Sequence, residues 1–294
     1  MTLEELTSSE LPHSLKQRSG NDLDANGMPR YRGVPTANTA GFDYDDYAYI
    51  DGLQKCYSVD WHETGQVNGL QFKSQSHSCS GAGWAYSVVE TLATVSAIYN
   101  GIEDQENVPV YSEQQLIDCN YGPNMGCMGG RRQFAFNYTS VMGVTSPDNY
   151  PSVQGGVKED CRYDKKKQML FKIDGFKAWE RITNSDLETL ACHGPVSVSL
   201  RINDCVKDYV SGIIYDGPGS TCGCSSVPSA NHAAVIVGFG VDRFASVCKA
   251  YWLLKNQWGS DWGEGGFFRL CKEDDDLPLG TCNVRAEPMI AYKY

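Results

Sequence analysis

A chain of 294 residues, 41% of them hydrophobic, is long enough for one large or two small domains with a real core. The formal net charge is −11, and the one basic run is Lys165 to Lys167, so the electrostatic footprint of a nucleic-acid binder is excluded. No apolar stretch approaches a membrane span, and MTLEELTSSELPHSLKQRSG has no apolar core of the signal-peptide kind.

The first 55 or so residues have little apolar periodicity and many Gly, Asn, Asp and Tyr, so loops and short helices are expected. In KSQSHSCSGAGWAYS, residues 73–87, a Gly/Ser loop leads into Trp84, Val88, Leu92, Val95 and Tyr99. That is helical spacing, with Gly101 as a C-terminal cap. Ser112-Glu-Gln-Gln115 reads as a capping box that opens a helix ending at Cys119. RRQFAFNYTSVMG is a further helix and carries the glycosylation sequon Asn137-Tyr-Thr139. From about residue 170 the pattern turns to strands: VSVSLRI, HAAVIVGFG, YWLLKNQ, GFFRLC and MIAY. Ser185-Asp-Leu-Glu188 reads as a second capping box before a short helix. A helical first half and a strand-rich second half point to two lobes.

The chain has 12 cysteines: 56, 79, 119, 127, 161, 192, 205, 222, 224, 248, 271 and 282. An even, high count points to disulfides and an oxidising compartment. Cys222-Gly-Cys224 is the one spacing that suggests metal, and no paired CxxC recurs, so no metal and no cofactor are expected. Disulfides without a leader create the expectation that the chain as given starts late, inside a longer precursor.

His232 precedes an apolar strand, and a lone histidine there is ordinarily structural. Here it comes with Asn256 in KNQWGSDWGEGGF. An amide oxygen such as that of Asn256 can orient an imidazole, and an indole such as that of Trp258 can shield such a bond from water. A nucleophile at the first residue of a helix gains both the helix dipole and such a base.

These segments resemble papain-family cysteine peptidases. Asp60, Trp61, Gly65, Val67, Lys73 and Gln75 match the family's opening Asp-Trp…Lys-x-Gln. SEQQLIDC matches its Ser-Glu-Gln-Glu/Gln-Leu-x-Asp-Cys, GCMGG its Gly-Cys-x-Gly-Gly, and Asn231-His232 its histidine segment. KNQWGSDWGEGGF matches its Lys-Asn-Ser-Trp-Gly-x-x-Trp-Gly. The resemblance covers roughly residues 56–294. It implies an α+β, papain-like two-lobe fold, with a helical left lobe, a β-barrel-like right lobe and a cleft between them. Residues 1–55 are then the remnant of a pro-region with its linker, and 56–294 the peptidase domain.

By the same resemblance Gln75 donates to an oxyanion, His232 is the general base and Asn256 its orienter. Gly129 and Gly130 meet a substrate backbone, and Glu287 stands in the main specificity pocket to pair with Arg or Lys. Cys79 pairs with Cys127, Cys119 with Cys161, and Cys282 with Cys222 or Cys224. Cys192–Cys205 and Cys248–Cys271 are expected because each pair flanks a strand or hairpin.

One position breaks the pattern. The family carries its nucleophilic cysteine directly before Trp-Ala, where this chain has Gly83 preceded by Ala82. Gly83 fits if the extra residue falls in the loop, which costs little. Ala82 fits if the extra residue lies inside the helix start, turning later side chains by about 100°. Neither has an atom that attacks.

The expected function is therefore a proteolytically inactive homologue with a retained peptide-binding cleft. The alternatives are an active cathepsin-like endopeptidase represented by an inactivated Cys-to-Ala form, and a structural or storage protein with a blocked cleft. The expected partners are a peptide or protein ligand, the propeptide, or a cystatin-like inhibitor, with no nucleic acid and no membrane insertion. The location is extracellular or lysosomal/vacuolar.

Overall fold

The structure is a computed structural model and describes residues 49–68, 77–120, 122–153, 157–220, 222–273 and 277–294. Most of the expected pro-region remnant, and Gln75, lie outside the described residues.

Helix α1, Gly83–Tyr99, follows a 3₁₀ stretch, His77–Ala82. The expected stripe of Trp84, Val88, Leu92 and Val95 is buried, and Tyr99 at its end is exposed. The opposite side, with Tyr86, Val89 and Ala93, is buried too. The reason is position: α1 has protein on both sides, because it runs between the other helices and the sheet. Its hydroxyls are used internally, Thr91 Oγ1 donating to Ser87 O at 2.7 Å and the Tyr111 hydroxyl to Ser96 Oγ at 2.9 Å. Asn100 caps the end, and Gly101 takes the left-handed conformation (φ 64°) that closes a helix without a Cβ clash.

Helix α2, Glu113–Cys119, is capped by Ser112 Oγ, which accepts from Gln115 N at 3.1 Å. Only this half of the expected capping box forms. The Gln115 side chain turns away to donate to Gly143 O at 3.1 Å and to accept from Thr145 N at 3.0 Å. A fully buried amide serves buried backbone groups first, because leaving them unpaired costs more than an exposed cap gains. Helix α3, Arg132–Met142, ends at Gly143 and presents Asn137 half-exposed. Helix α4, Asn184–Ala191, does have a full capping box, but it is Thr183 with Asp186, not Ser185 with Glu188. Ser185 instead accepts from Lys55, and Glu188 pairs with Lys272.

The strands are β1 Val59–Asp60, β2 Gly175–Ala178, β3 Val196–Leu200, β4 Ile213–Ile214, β5 His232–Val241, β6 Ala250–Lys255, β7 Phe267–Cys271 and β8 Met289–Tyr292. They form one sheet in the order β2-β8-β3-β5-β6-β7-β4, with β1 on β5. Every pairing is antiparallel except β4 with β7. The sheet stays open rather than closing into a barrel, since its end strands β2 and β4 do not pair.

Two apolar clusters make two lobes. One gathers α1 to α3 around Leu92, Leu116, Phe136 and Ile173. The other joins α4 to the sheet through Leu187, Val198, Ile236, Trp252 and Leu270. Lys255 on β6, buried, pairs with Glu90 on α1 and so ties the sheet to the central helix. The fold class is the expected α+β two-lobe arrangement.

All 12 cysteines are in disulfides. Cys79–Cys127 and Cys119–Cys161 lie in the helical lobe. Cys224 rather than Cys222 takes Cys282, and Cys248 joins Cys271. The expected Cys192–Cys205 bridge does not exist. Cys192, at the end of α4, reaches back to Cys56, and Cys205 closes a short loop with Cys222. Cys192 and Cys205 are near in sequence, but strand β3 leaves α4 between them and carries Cys205 away.

Candidate active site

The site lies where the start of α1 meets the start of β5. Cys79, kinked at φ −125° and ψ 39°, is held to Cys127 with their Cα atoms 4.4 Å apart. The neighbouring Gly81 has to be glycine. A Cβ there would lie 2.4 Å from Cys127 O, so two backbones touch at this point. Ala82 is the N-cap residue and offers no side-chain cap, so the first N–H groups of α1 have no partner from that residue.

The two candidate nucleophile positions separate cleanly. Ala82 is fully buried in the apolar cluster of the helical lobe. Gly83 is the first residue of α1, and a Cβ built on it points at the other lobe, with Gln257 Nε2 at 3.0 Å and Ala233 N at 3.7 Å. Ala233 directly follows His232. A side chain at 83 therefore points at Gln257 and at the residue next to His232, while that of Ala82 is packed into the helical lobe.

His232 begins β5 and is half-buried. Its Nε2 lies 2.8 Å from Asn256 Oδ1. The same Oδ1 accepts from Gln257 N at 3.0 Å, which fixes which way the amide faces. An amide oxygen only accepts, so Nε2 carries the proton and Nδ1 holds the lone pair of the neutral ring. Burial pushes the imidazole down to about 4, and the bond to Asn256 offsets only part of this. The ring is therefore neutral near neutral pH. Trp258 covers it, with ring centroids 4.8 Å apart and planes inclined at 44°. Trp262 stacks edge-on to Trp258 at 4.9 Å and continues the aromatic wall. Asn256 is almost wholly buried, and its Nδ2 has no hydrogen-bond partner.

Gly129 and Gly130 lie on the helical-lobe side of the site. Gly129 (φ 130°) has open space where a Cβ would be. Gly130 is exposed, but a Cβ on it would come within 2.7 Å of the Trp84 indole. Trp84 in turn donates from Nε1 to Gly126 O at 3.0 Å, so the indole is a fixed floor under the glycine pair.

Glu287 is exposed. Its carboxylate accepts from Ser199 Oγ at 2.9 Å. The chain supplies a cation of its own beside it. Arg132, 3% exposed, donates to Ser197 Oγ at 3.0 Å, to Ser199 Oγ at 2.8 Å and to Glu287 O. Burial lowers the guanidinium to about 10, and the Glu287 carboxylate works against that shift. The charge a ligand Arg was expected to meet is thus partly answered from within.

The sequence reading passed over Arg132 and Gln257. Gln257 had a visible signal: it is the one departure inside KNQWG from the family's Lys-Asn-Ser-Trp-Gly. Arg132 had the weaker signal of a charge two residues after the glycine pair, at the start of an apolar helix. No metal centre competes for this region. The one group with ligand-like spacing among the described residues, Asp216 with Cys222 and Cys224, has both sulfurs in disulfides.

Comparisons with known proteins converge. Residues 56–292 match the family model described as papain family cysteine protease. The thiol protease SEN102 of Hemerocallis sp. is 32% identical over 85% of this chain and 62% of its own length. The KDEL-tailed cysteine endopeptidase CEP2 of Arabidopsis thaliana is 32% identical over 78% of this chain and 58% of its own length. The chain thus spans about three fifths of the length of these relatives. Among solved structures, bromelain from Ananas comosus in complex with the E64 inhibitor superposes with a TM-score of 0.67, at 28% identity, over 81% of this chain and 100% of that one. The ragweed cysteine protease Amb a 11, in its proform, gives 0.68 at 29% identity over 85% of this chain and 69% of that one. By sequence, fold and site geometry alike, this chain belongs to the papain family of cysteine proteases.

Proposed function

We propose that this chain is a papain-family homologue that does not hydrolyse peptides and binds a peptide or protein segment in its cleft. The observation that carries the reading is Gly83. It stands at the helix start, facing the residue next to His232, and it has no side chain. Covalent amide cleavage needs an atom that attacks, and a neutral imidazole with no thiol beside it has no proton to take. A water activated by His232, with backbone donors at the start of α1 and Gln75 if its amide is aimed there, leaves at most a residual rate. Binding in this reading depends on other parts: the glycine pair, with Gly130 against Trp84, and the surface beside Arg132 and Glu287.

The test is an assay of the folded protein on fluorogenic Phe-Arg and Leu-Arg peptides, with binding of the same peptides followed separately. No turnover and no labelling by thiol-directed epoxides are expected, while binding persists. Robust thiol-dependent turnover by the unmodified chain overturns the reading.

A second reading has one observation in its favour: His232, Asn256 and Trp258 keep a working geometry. In that reading the protein is an active endopeptidase, as relatives named thiol protease and cysteine endopeptidase are, and this chain is an inactivated form. The codons at positions 82 and 83 in the source transcript decide between the two. In either case the ligand class is a peptide, and relatives solved as proforms make a propeptide the first partner to test, with a cystatin-like inhibitor second. The disulfides favour an extracellular, vacuolar or lysosomal location.

A further inference from the structure

Losing a side chain from a packed site ordinarily leaves a void. At Gly83 the space is taken. A Cβ there would stand 3.0 Å from Gln257 Nε2, where ordinary contacts run from 3.4 to 4 Å. Gln257 is 5% exposed and held at both ends. Its backbone N–H donates to Asn256 Oδ1 at 3.0 Å, and its Nε2 donates to Ala233 O at 3.0 Å. Those anchors belong to the residue that orients His232 and to the residue that follows His232. The amide is therefore positioned by the catalytic segment itself, and it lies over the cleft face of Gly83. To clear a Cβ at 83 it must give by a few tenths of an ångström, and that shift works against its bond to Ala233 O. A sulfur beyond that Cβ needs more room still.

We propose that Gln257 closes the nucleophile position. Gly83 and Gln257 are a matched pair, in which the amide of one fills the ground a side chain on the other would occupy. A carboxamide is neither a nucleophile nor a base, so the floor of the cleft is inert as well as occupied. Restoring a thiol at 83 alone does not restore a reactive site. The inference rests on the reading of Gly83 as the nucleophile position given above, and it goes further by making the loss a two-residue change. Gln257 stands where the family pattern has serine, so Gln257→Ser is the natural relief variant.

The pair is tested without catalysis and with it. In a thermal-unfolding cycle, Gly83→Ala is introduced into the parent and into Gln257→Ser. Gly83 is buried, and alanine at a helix start is harmless only where nothing crowds its methyl group. A lowered melting temperature is expected in the parent background, and none in the Gln257→Ser background. In a labelling experiment, iodoacetamide is used on Gly83→Cys and on Gly83→Cys/Gln257→Ser at about pH 6. The double variant is expected to react roughly tenfold faster or more, with a pH profile moved to the acid side as for a thiolate beside an imidazolium. The single variant keeps the profile of an ordinary thiol. Equal melting shifts in the two backgrounds, or equal labelling rates, overturn the proposal. If Gly83→Cys alone fails to fold, the alanine cycle still decides. Peptide turnover by the unmodified parent would defeat the proposed function and leave the alanine cycle unchanged, so the two failures are distinguishable.

Discussion

The Nε2 of His232 is held 2.8 Å from the Oδ1 of Asn256 in a protein whose neighbouring helix start has no thiol to activate. The pair persists because it is also structural. Asn256 Oδ1 takes two donors, the imidazole and the backbone of Gln257, and both would otherwise lack this partner. Asn256→Ala is expected to cost about 2 kcal/mol of folding stability, in line with orphaning buried donors. Urea unfolding measures it. A cost near zero would mean that the bond is dispensable here.

Acid should weaken the fold through the same ring. His232 is lowered from its ordinary 6.5 to about 4 in the folded protein by burial. Between those values the unfolded chain takes up a proton that the folded chain refuses. Stability from this group is therefore full above about pH 6.5 and is lost as pH falls toward about 4. His232→Gln removes the titrating group, so its stability should fall less steeply across this window than the parent's. Parallel curves would place the ring's pKa near its ordinary value.

Arg132 carries the buried polar cluster beside Glu287. Arg132→Met leaves Ser197 Oγ, Ser199 Oγ and Glu287 O without their donor. A loss of roughly 2 kcal/mol is expected. Glu287→Ala removes only an exposed carboxylate and should cost well under ~1 kcal/mol. Its effect on the affinity for Arg-containing peptides should be small, because the buried Arg132 guanidinium partly offsets that charge. A large loss of Arg-peptide affinity would make Glu287 the determinant of that specificity.

Cys56–Cys192 spans 136 residues and Cys205–Cys222 only 17. Loop-closure entropy makes the long bridge worth more, about 5 against about 3 kcal/mol. Paired Cys→Ser replacements at each site, compared by denaturant midpoint, check the order.

Much of this was legible in the sequence, for reasons that vary by residue. His232, Asn256, Trp258 and the glycine pair lie in motifs whose order alone places them at one cleft. Local rules did less well where tertiary contacts outvoted them. Gln115 gave up the capping box for Gly143 and Thr145, and the cap of α4 moved from Ser185 to Thr183. Cys192 was assigned to a near neighbour in sequence, because no local signal says that α4 ends beside Cys56. Ala82 and Gly83 are adjacent in the chain, and only coordinates show that Ala82 packs into the helical lobe while a Cβ at 83 points at Gln257. Gln257 escaped notice because a substitution inside a matched motif reads as tolerance until its side chain is seen against Gly83.

The complete pairing of the cysteines has a consequence beyond stability. A working thiol peptidase is an oxidant-sensitive machine, since peroxide drives its reduced sulfur to sulfenic and then irreversibly oxidised acids. Here no sulfur of cysteine is left reduced. Peroxide that would silence a thiol enzyme should find no reduced cysteine to oxidise in this protein. Its remaining oxidant-sensitive sulfurs would then be methionines, with Met125 and Met128 exposed beside the glycine pair.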